Sequence, residues 1–178
     1  MNPLWQFSLE YYRRPGVETE CLSWQERLGA DVNVLLMCLW CATRGRQLDC
    51  AALGSLESET PVGRWRREVI GPLRAVRRSS RAFTQGGEPE RAAETDVEMH
   101  GDGLYRSLLE VELKAERIEQ EMLWRWVREL PAVACGPERR TLRQLAHVNL
   151  RAYAECLAET DWGVTNIDLL LDALEPGA

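Results

Sequence analysis

The sequence predicts an all-α fold, a single-domain bundle of about seven or eight helices packed around a central apolar helix at residues 31–44. Three observations carry this reading. Apolar residues recur at helical spacing along nearly the whole chain, and no stretch alternates convincingly with period two. Asp, Pro and Gly stand where helices need caps and stops. The stretch "GADVNVLLMCLWCATRG" is apolar on all sides, as a helix surrounded by other helices must be. With 178 residues, 45% of them apolar, the chain can build one real core.

The elements follow in order. "NPLWQFSLEYYRR" reads as a first helix that stops before Pro15-Gly16, because the residue before proline resists the α conformation. Val17, Cys21, Trp24 and Leu28 form one face of a second helix, which Gly29 ends. Asp31 is placed to cap the central helix, and Gly45 closes it. Within that helix Asn33 is the polar exception, read as a supplement to the first-turn cap or as a buried partner of Asn149.

A short helix capped by Asp49 then turns Ala52, Leu53 and Leu56 inward. Pro61 opens a longer one with an expected inner stripe of Trp65, Val69, Leu73, Val76 and Phe83, bent at Pro72, which lacks an N–H. These elements make an amino-terminal block, 1–83. The segment 84–103, rich in Gly and charge with almost no large apolar residue, reads as a mobile linker or loop. Carboxy-terminal helices fill 104–178.

Leu104, Leu108, Val111, Ala115, Ile118 and Met122 step by four and three residues, a narrow coiled-coil-like seam on a helix running to Leu130. A partner helix from Pro137 to about Thr160 shows Leu142, Leu145, Asn149, Tyr153 and Cys156 at compatible spacing. The final helix, "NIDLLLDALE", follows Thr165, which with Asp168 is spaced like a capping box.

Composition excludes several classes of function. A net charge of −6 argues against a protein basic throughout, as many nucleic-acid binders are. The longest uninterrupted apolar run, Val34–Ala42, is far short of the roughly 20 residues a spanning helix needs, so no membrane association is expected. The amino terminus has no signal-peptide pattern. The chain is therefore expected in the cytoplasm, with its six cysteines reduced.

Cys38 and Cys41 form a CxxC pair late in the central helix, where the helix dipole disfavours thiolate, and no strand precedes them as in a redox motif. A closed zinc site needs four ligands, and Cys21, Cys50, Cys135, Cys156, His100 and His147 are not spaced to complete one. The pair reads as packed core, and no metal or cofactor is expected.

"LWQFSLEYYRRPGVETECLSWQERLGADVNVLLMCLW" resembles the signature of an uncharacterised family of short proteobacterial all-helical proteins, and "ELKAERIEQEML" resembles that family's glutamate-rich second half. The resemblance covers about residues 4–83 and 104–127. It implies a small cytosolic bacterial helical protein and carries no catalytic residues. This chain departs from the pattern in its long charged linker and additional carboxy-terminal helices.

No phosphate loop, HExxH, GxSxG or Glu-x-x-His pair is present, so no catalytic residue is assigned. The glutamates of "ELKAERIEQE" read as a solvated face, with Glu110–Lys114 and Glu121–Arg125 as i,i+4 pairs. Charge asymmetry is more informative: residues 64–81 hold seven arginines and one glutamate, whereas 84–130 hold twelve acidic and six basic residues.

Arg67, Arg74, Arg78 and Arg81 form a candidate partner-binding stripe. Three readings stay open for it: solvent or the protein's own acidic helix, an RNA backbone, or an acidic protein partner. No known nucleic-acid motif or interleaved aromatic supports the RNA reading. Trp124 and Trp126 lie two residues apart and cannot both face one neighbour. One of them is a candidate anchor for a partner or for self-association, unless both are covered by the carboxy-terminal helices. The chain is thus expected to be a non-catalytic interaction or adaptor protein, with an unidentified protein partner or self-association. An RNA-associated role is the first alternative, and an enzyme or small-ligand carrier the second.

Overall fold

The computed structural model describes residues 2–85, 95–130, 141–157 and 166–174, with side chains at 2–82, 103–130, 141–157 and 166–174. Every regular element among these residues is helical. They are α1 (Pro3–Tyr12), α2 (Val17–Leu28), α3 (Val32–Thr43), α4 (Cys50–Glu59), α5 (Pro61–Trp65), a π-helical turn (Arg66–Ile70), α6 (Gly71–Gln85), α7 (Thr95–Glu129), α8 (Leu142–Cys156) and α9 (Ile167–Leu174). α5, the π turn and α6 run on as one rod, so the described residues form eight helices.

The central helix stands where its composition places it. Every residue of α3 from Asn33 to Ala42 is buried, including Cys38 and Cys41. Asp31 caps it, accepting from the backbone N–H groups of Asn33 at 2.8 Å and Val34 at 3.3 Å. α8 packs along it, and Asn149 ties the two together. Its side-chain amide donates to the Cys38 and Arg46 carbonyls, each at 3.0 Å, and its oxygen accepts from Leu48 N–H at 2.8 Å. Asn149 therefore anchors the turn after α3, where Gly45 takes φ 68°.

Val17, Cys21, Trp24 and Leu28 of α2 are all buried, as their spacing predicts. α1 ends at Tyr12, and Gly16 turns the chain at φ 79°, close beneath Leu169 of α9. α9 closes over this corner: the Tyr11 hydroxyl donates to the Leu170 carbonyl at 2.5 Å, and Glu20 accepts from Asn166 N–H at 2.7 Å. Arg46 donates to the Val127 and Leu130 carbonyls at 2.7 and 2.8 Å, supplying partners for the open end of α7.

Several expectations are corrected. α8 starts after Thr141, whose side chain makes a capping box with Gln144. α9 takes its cap from Asn166, which accepts from Leu169 N–H at 3.1 Å. α7 begins at Thr95 and α6 reaches Gln85, so both helices extend into the span read as a linker. Residues 86–94, Pro137 and Thr165, like the side chain of Phe83, lie outside the described residues and side chains.

The largest correction concerns the α6–α7 pair. The stripe Trp65, Val69, Leu73, Val76 was expected to face inward, yet Val76 is 52% exposed. The π turn explains it. Pro72 has no N–H to offer the carbonyl of Glu68, four residues earlier, and the preceding turn widens so that Gly71 N–H bonds to the Arg66 carbonyl instead. One extra residue in a turn rotates everything after it by about 100° relative to an unbroken α-helix. That rotation swings Val76 out, and the inward face is Arg66, Ile70, Arg74 and Arg77, one residue on from the expected stripe. On α7 the same inversion holds: Leu104, Val111 and Ile118 are about half exposed, while Glu112, Glu119 and Gln120 are buried. Those glutamates are not a solvated face.

Candidate functional site

The inward charges meet at the start of α3. Glu119, at 0% exposure, accepts from Arg66 Nε at 2.8 Å through one carboxylate oxygen and from Asn33 Nδ2 at 2.6 Å through the other. Asp31, besides capping α3, lies 3.4 Å from both Arg66 Nε and Arg74 Nη1. Its backbone N–H donates to the Tyr153 hydroxyl at 2.7 Å. Arg66 also pairs with Glu57. Arg74 reaches Glu116 at 2.7 Å and Glu112 at 3.4 Å, and Arg77 pairs with Glu112.

Five carboxylates thus surround three guanidiniums. The acids outnumber the arginines, and burial penalises charge. Desolvation, reinforced by Asp31 and opposed by Arg66 and the Asn33 hydrogen bond, pushes the Glu119 carboxyl up to about 7. Desolvation also raises Glu116, against its bond to Arg74. Asn33 neither supplements the cap nor pairs with Asn149. It bridges Glu119 to Gln120, whose amide donates to Asn33 Oδ1 at 2.8 Å and to Ser8 Oγ at 3.1 Å.

This polar chain forms the floor of a half-open groove of about 430 Å3 between α1, α2 and α7. Ser8, Asn33 and Gln120 form its base, and Arg74 and Arg77 with Glu112 and Glu116 form one side. The remaining walls are mostly apolar, with Trp5, Leu9 and Tyr12 from α1, Leu22 from α2, and Leu109 and Leu113 from α7, while Arg13, Glu18 and Gln25 add polar groups on the α1–α2 side. Leu9, Leu22 and Leu113 keep large exposed surfaces. Groove volumes of about 300–1,000 Å3 are usual for sites that hold small molecules. Because Arg74 and Arg77 are already matched by glutamates, the groove presents a largely apolar wall beside a charge-matched side and an uncharged base.

Residues 3–123 match the model of a family described as protein of unknown function (DUF2390). The chain belongs to that family. The DUF2390 region runs from α1 into α7 and contains the whole groove and every member of the ion-pair cluster, while α8 and α9 lie beyond it. No curated protein and no solved structure matches the chain.

The structure separates the four arginines of the candidate stripe. Arg74 is turned into the cluster. Arg67 is exposed and donates to the Glu57 carbonyl, and Arg81 lies 5.5 Å over the Tyr105 ring. Arg78 is exposed. Trp124 and Trp126 are both half-buried against the core, and Arg128 stacks 4.8 Å over Trp124. Cys38 and Cys41 are buried free thiols, and among the described residues no His, Cys, Asp or Glu group is arranged to hold a metal. No helix among them is long and apolar enough to cross a membrane.

Sequence reasoning missed Arg66, Arg77 and the groove residues. A signal for the groove was present. Leu22 falls off the buried face of α2, and Leu109 and Leu113 fall off the expected seam of α7. Apolar residues on the otherwise polar side of a helix are what a groove wall requires.

Proposed function

We propose that this protein is a non-catalytic interaction module whose groove between α1, α2 and α7 receives an uncharged apolar anchor from a protein partner. The observation that carries this reading is the pairing of exposed leucines with an uncharged base and with a side whose Arg74 and Arg77 are already matched by glutamates. Beyond Arg13 on the α1 side, an anionic ligand would have to displace Glu112 or Glu116 from Arg74 and Arg77. An apolar anchor displaces nothing but water, and apolar anchors seated in desolvated pockets dominate many interfaces. The carboxyl with the strongest upward shift, Glu119, is sealed behind Asn33 and does not line the groove, so it is not presented to a substrate.

The test is co-purification of partners with the wild type and with Leu22→Asp and Leu113→Asp. Both positions are exposed, so the fold should survive, and melting temperature checks that. Loss of the same partner in both variants supports the reading. Retention of every partner by folded variants contradicts it.

A further inference from the structure

The inverted α6–α7 pair leaves a second apolar surface, on the opposite side of α7 from the groove. Leu104, Leu108, Val111, Ala115, Ile118 and Met122 keep the four-and-three spacing of a coiled-coil seam. Trp65 covers part of it, its indole donating to the Ala115 carbonyl at 3.1 Å, and Ala115 is buried there. The outer members stay open: Leu104 is 54%, Val111 46% and Ile118 48% exposed. Such a seam is unusual on a surface and has a preferred occupant, another helix with the same repeat.

We propose that the seam's occupant is the α7 of a second copy of this chain, packed antiparallel about a two-fold axis beside Glu116 and Arg117. Charge complementarity selects this register. Setting Val111 against Met122 of the second copy, with Ile118 of each copy beside the axis, places Lys114 beside the second copy's Glu121. The two-fold repeats that pair on the other side of the axis. Lys114 is exposed and makes no ion pair among the described residues. Glu121 accepts from Arg125 at 3.1 Å and from Asn2 at 3.2 Å, and its side chain remains 38% exposed.

Beside the seam lies a shallow depression of about 400 Å3 lined by Trp5, Lys114, Arg117, Ile118 and Glu121. It sits next to the axis, where side chains of the approaching helix need room. Beyond these layers, Leu108 meets the aliphatic stem of the second copy's Arg125, an arrangement long basic side chains tolerate.

Sedimentation equilibrium over a concentration series tests this on the full chain. The wild type is expected to dimerise reversibly. Lys114→Glu sets like charges face to face and should weaken dimerisation by about tenfold or more. Adding Glu121→Lys to it should restore the dimer by recreating both pairs with reversed sign. Val111→Glu with Ile118→Glu, at exposed positions, should give a folded monomer. A wild-type monomer at all concentrations overturns the proposal. So does a dimer indifferent to the Val111 and Ile118 changes, or one weakened by Lys114→Glu and not rescued by the charge swap. The groove is untouched by all these substitutions, so these outcomes are independent of partner binding there.

Discussion

Arg66 and Glu119 meet at 2.8 Å in the interior, one from the π turn before α6 and the other from the middle of α7. The Glu119 side chain is sealed from solvent, and the Arg66 side chain is 13% exposed. Around this contact the bundle arranges further charges: Asp31 at the head of the central helix, Glu57 at the end of α4, and Arg74 about two turns further along, in α6.

Removing one member of such a pair leaves a buried charge without its counter-ion. Arg66→Met strands Glu119, leaves Asp31 with Arg74 alone, and should destabilise the fold by about 3–5 kcal/mol. Arg66→Met with Glu119→Leu replaces the pair by apolar groups and should recover much of that loss, because the desolvation cost disappears with the charges. Urea unfolding of the two single variants and the double variant reads the coupling. Additive losses would mean that the contact does not organise the interior.

The same carboxyl makes stability depend on pH in a definite direction. The folded state holds the Glu119 proton up to about 7, above the ordinary carboxyl value of 4.5, facing Asp31, Arg66 and Asn33. Between those values the folded protein binds more protons than the unfolded chain. The contribution of this group to stability is therefore fully present at low pH and falls as pH rises through the window, by up to ~1.4 kcal/mol per pH unit. Glu119→Gln should flatten that part of the curve. Urea midpoints from pH 4.5 to 7.5, in roughly half-unit steps, would show it, and an unchanged slope in the variant would count against the assignment.

Gly63 tests how closely α5 packs on α4. Replacing glycine by alanine inside a helix ordinarily gains up to about 1 kcal/mol. Here a Cβ would stand 2.1 Å from the Glu57 carbonyl oxygen and 2.8 Å from that of Leu56, both backbone atoms. Gly63→Ala should therefore destabilise, and a raised melting temperature would refute the packing.

The central helix predicts a pattern of thiol chemistry. Burial holds the Cys38 thiol well above its usual range and pushes Cys21 and Cys41 up to about 12, whereas Cys50 is exposed. A thiol reagent applied to the native protein should label Cys50 and leave Cys21, Cys38 and Cys41 unmodified until denaturant is added. Leu39→Ala should open a cavity costing about 2–5 kcal/mol and bring those thiols into reach at lower denaturant.

How much of this was legible in the sequence follows from where the information lies. The central helix was readable because its apolar run, the Asp31 cap and the Gly45 stop are local signals within one segment. The α6–α7 pair was misread because a 3.6-residue period assumes an unbroken helix, and the extra residue of the π turn shifts every later position. The burial of Glu112 and Glu119 was hidden because their counter-ions come from distant residues. One trace of it was visible: Glu112, Glu116 and Glu119 repeat at i, i+4 and i+7, a helical face opposite in sign to the arginine-rich segment 64–81. Asn33 was legible as an exception, but its partners, Glu119 and Gln120, became identifiable only once α7 was placed against α3.

The central claim is that Arg66, Arg74 and Arg77 serve the interior while the groove serves a partner. A photo-reactive residue placed at Leu113 in the groove, or at exposed Arg78 on α6, tests both halves in one cross-linking measurement on cell extract. The account predicts a discrete protein adduct from position 113, lost when Leu22→Asp is added, and no nucleic-acid adduct from position 78. RNase-sensitive adducts at position 78, with none at position 113, would contradict it.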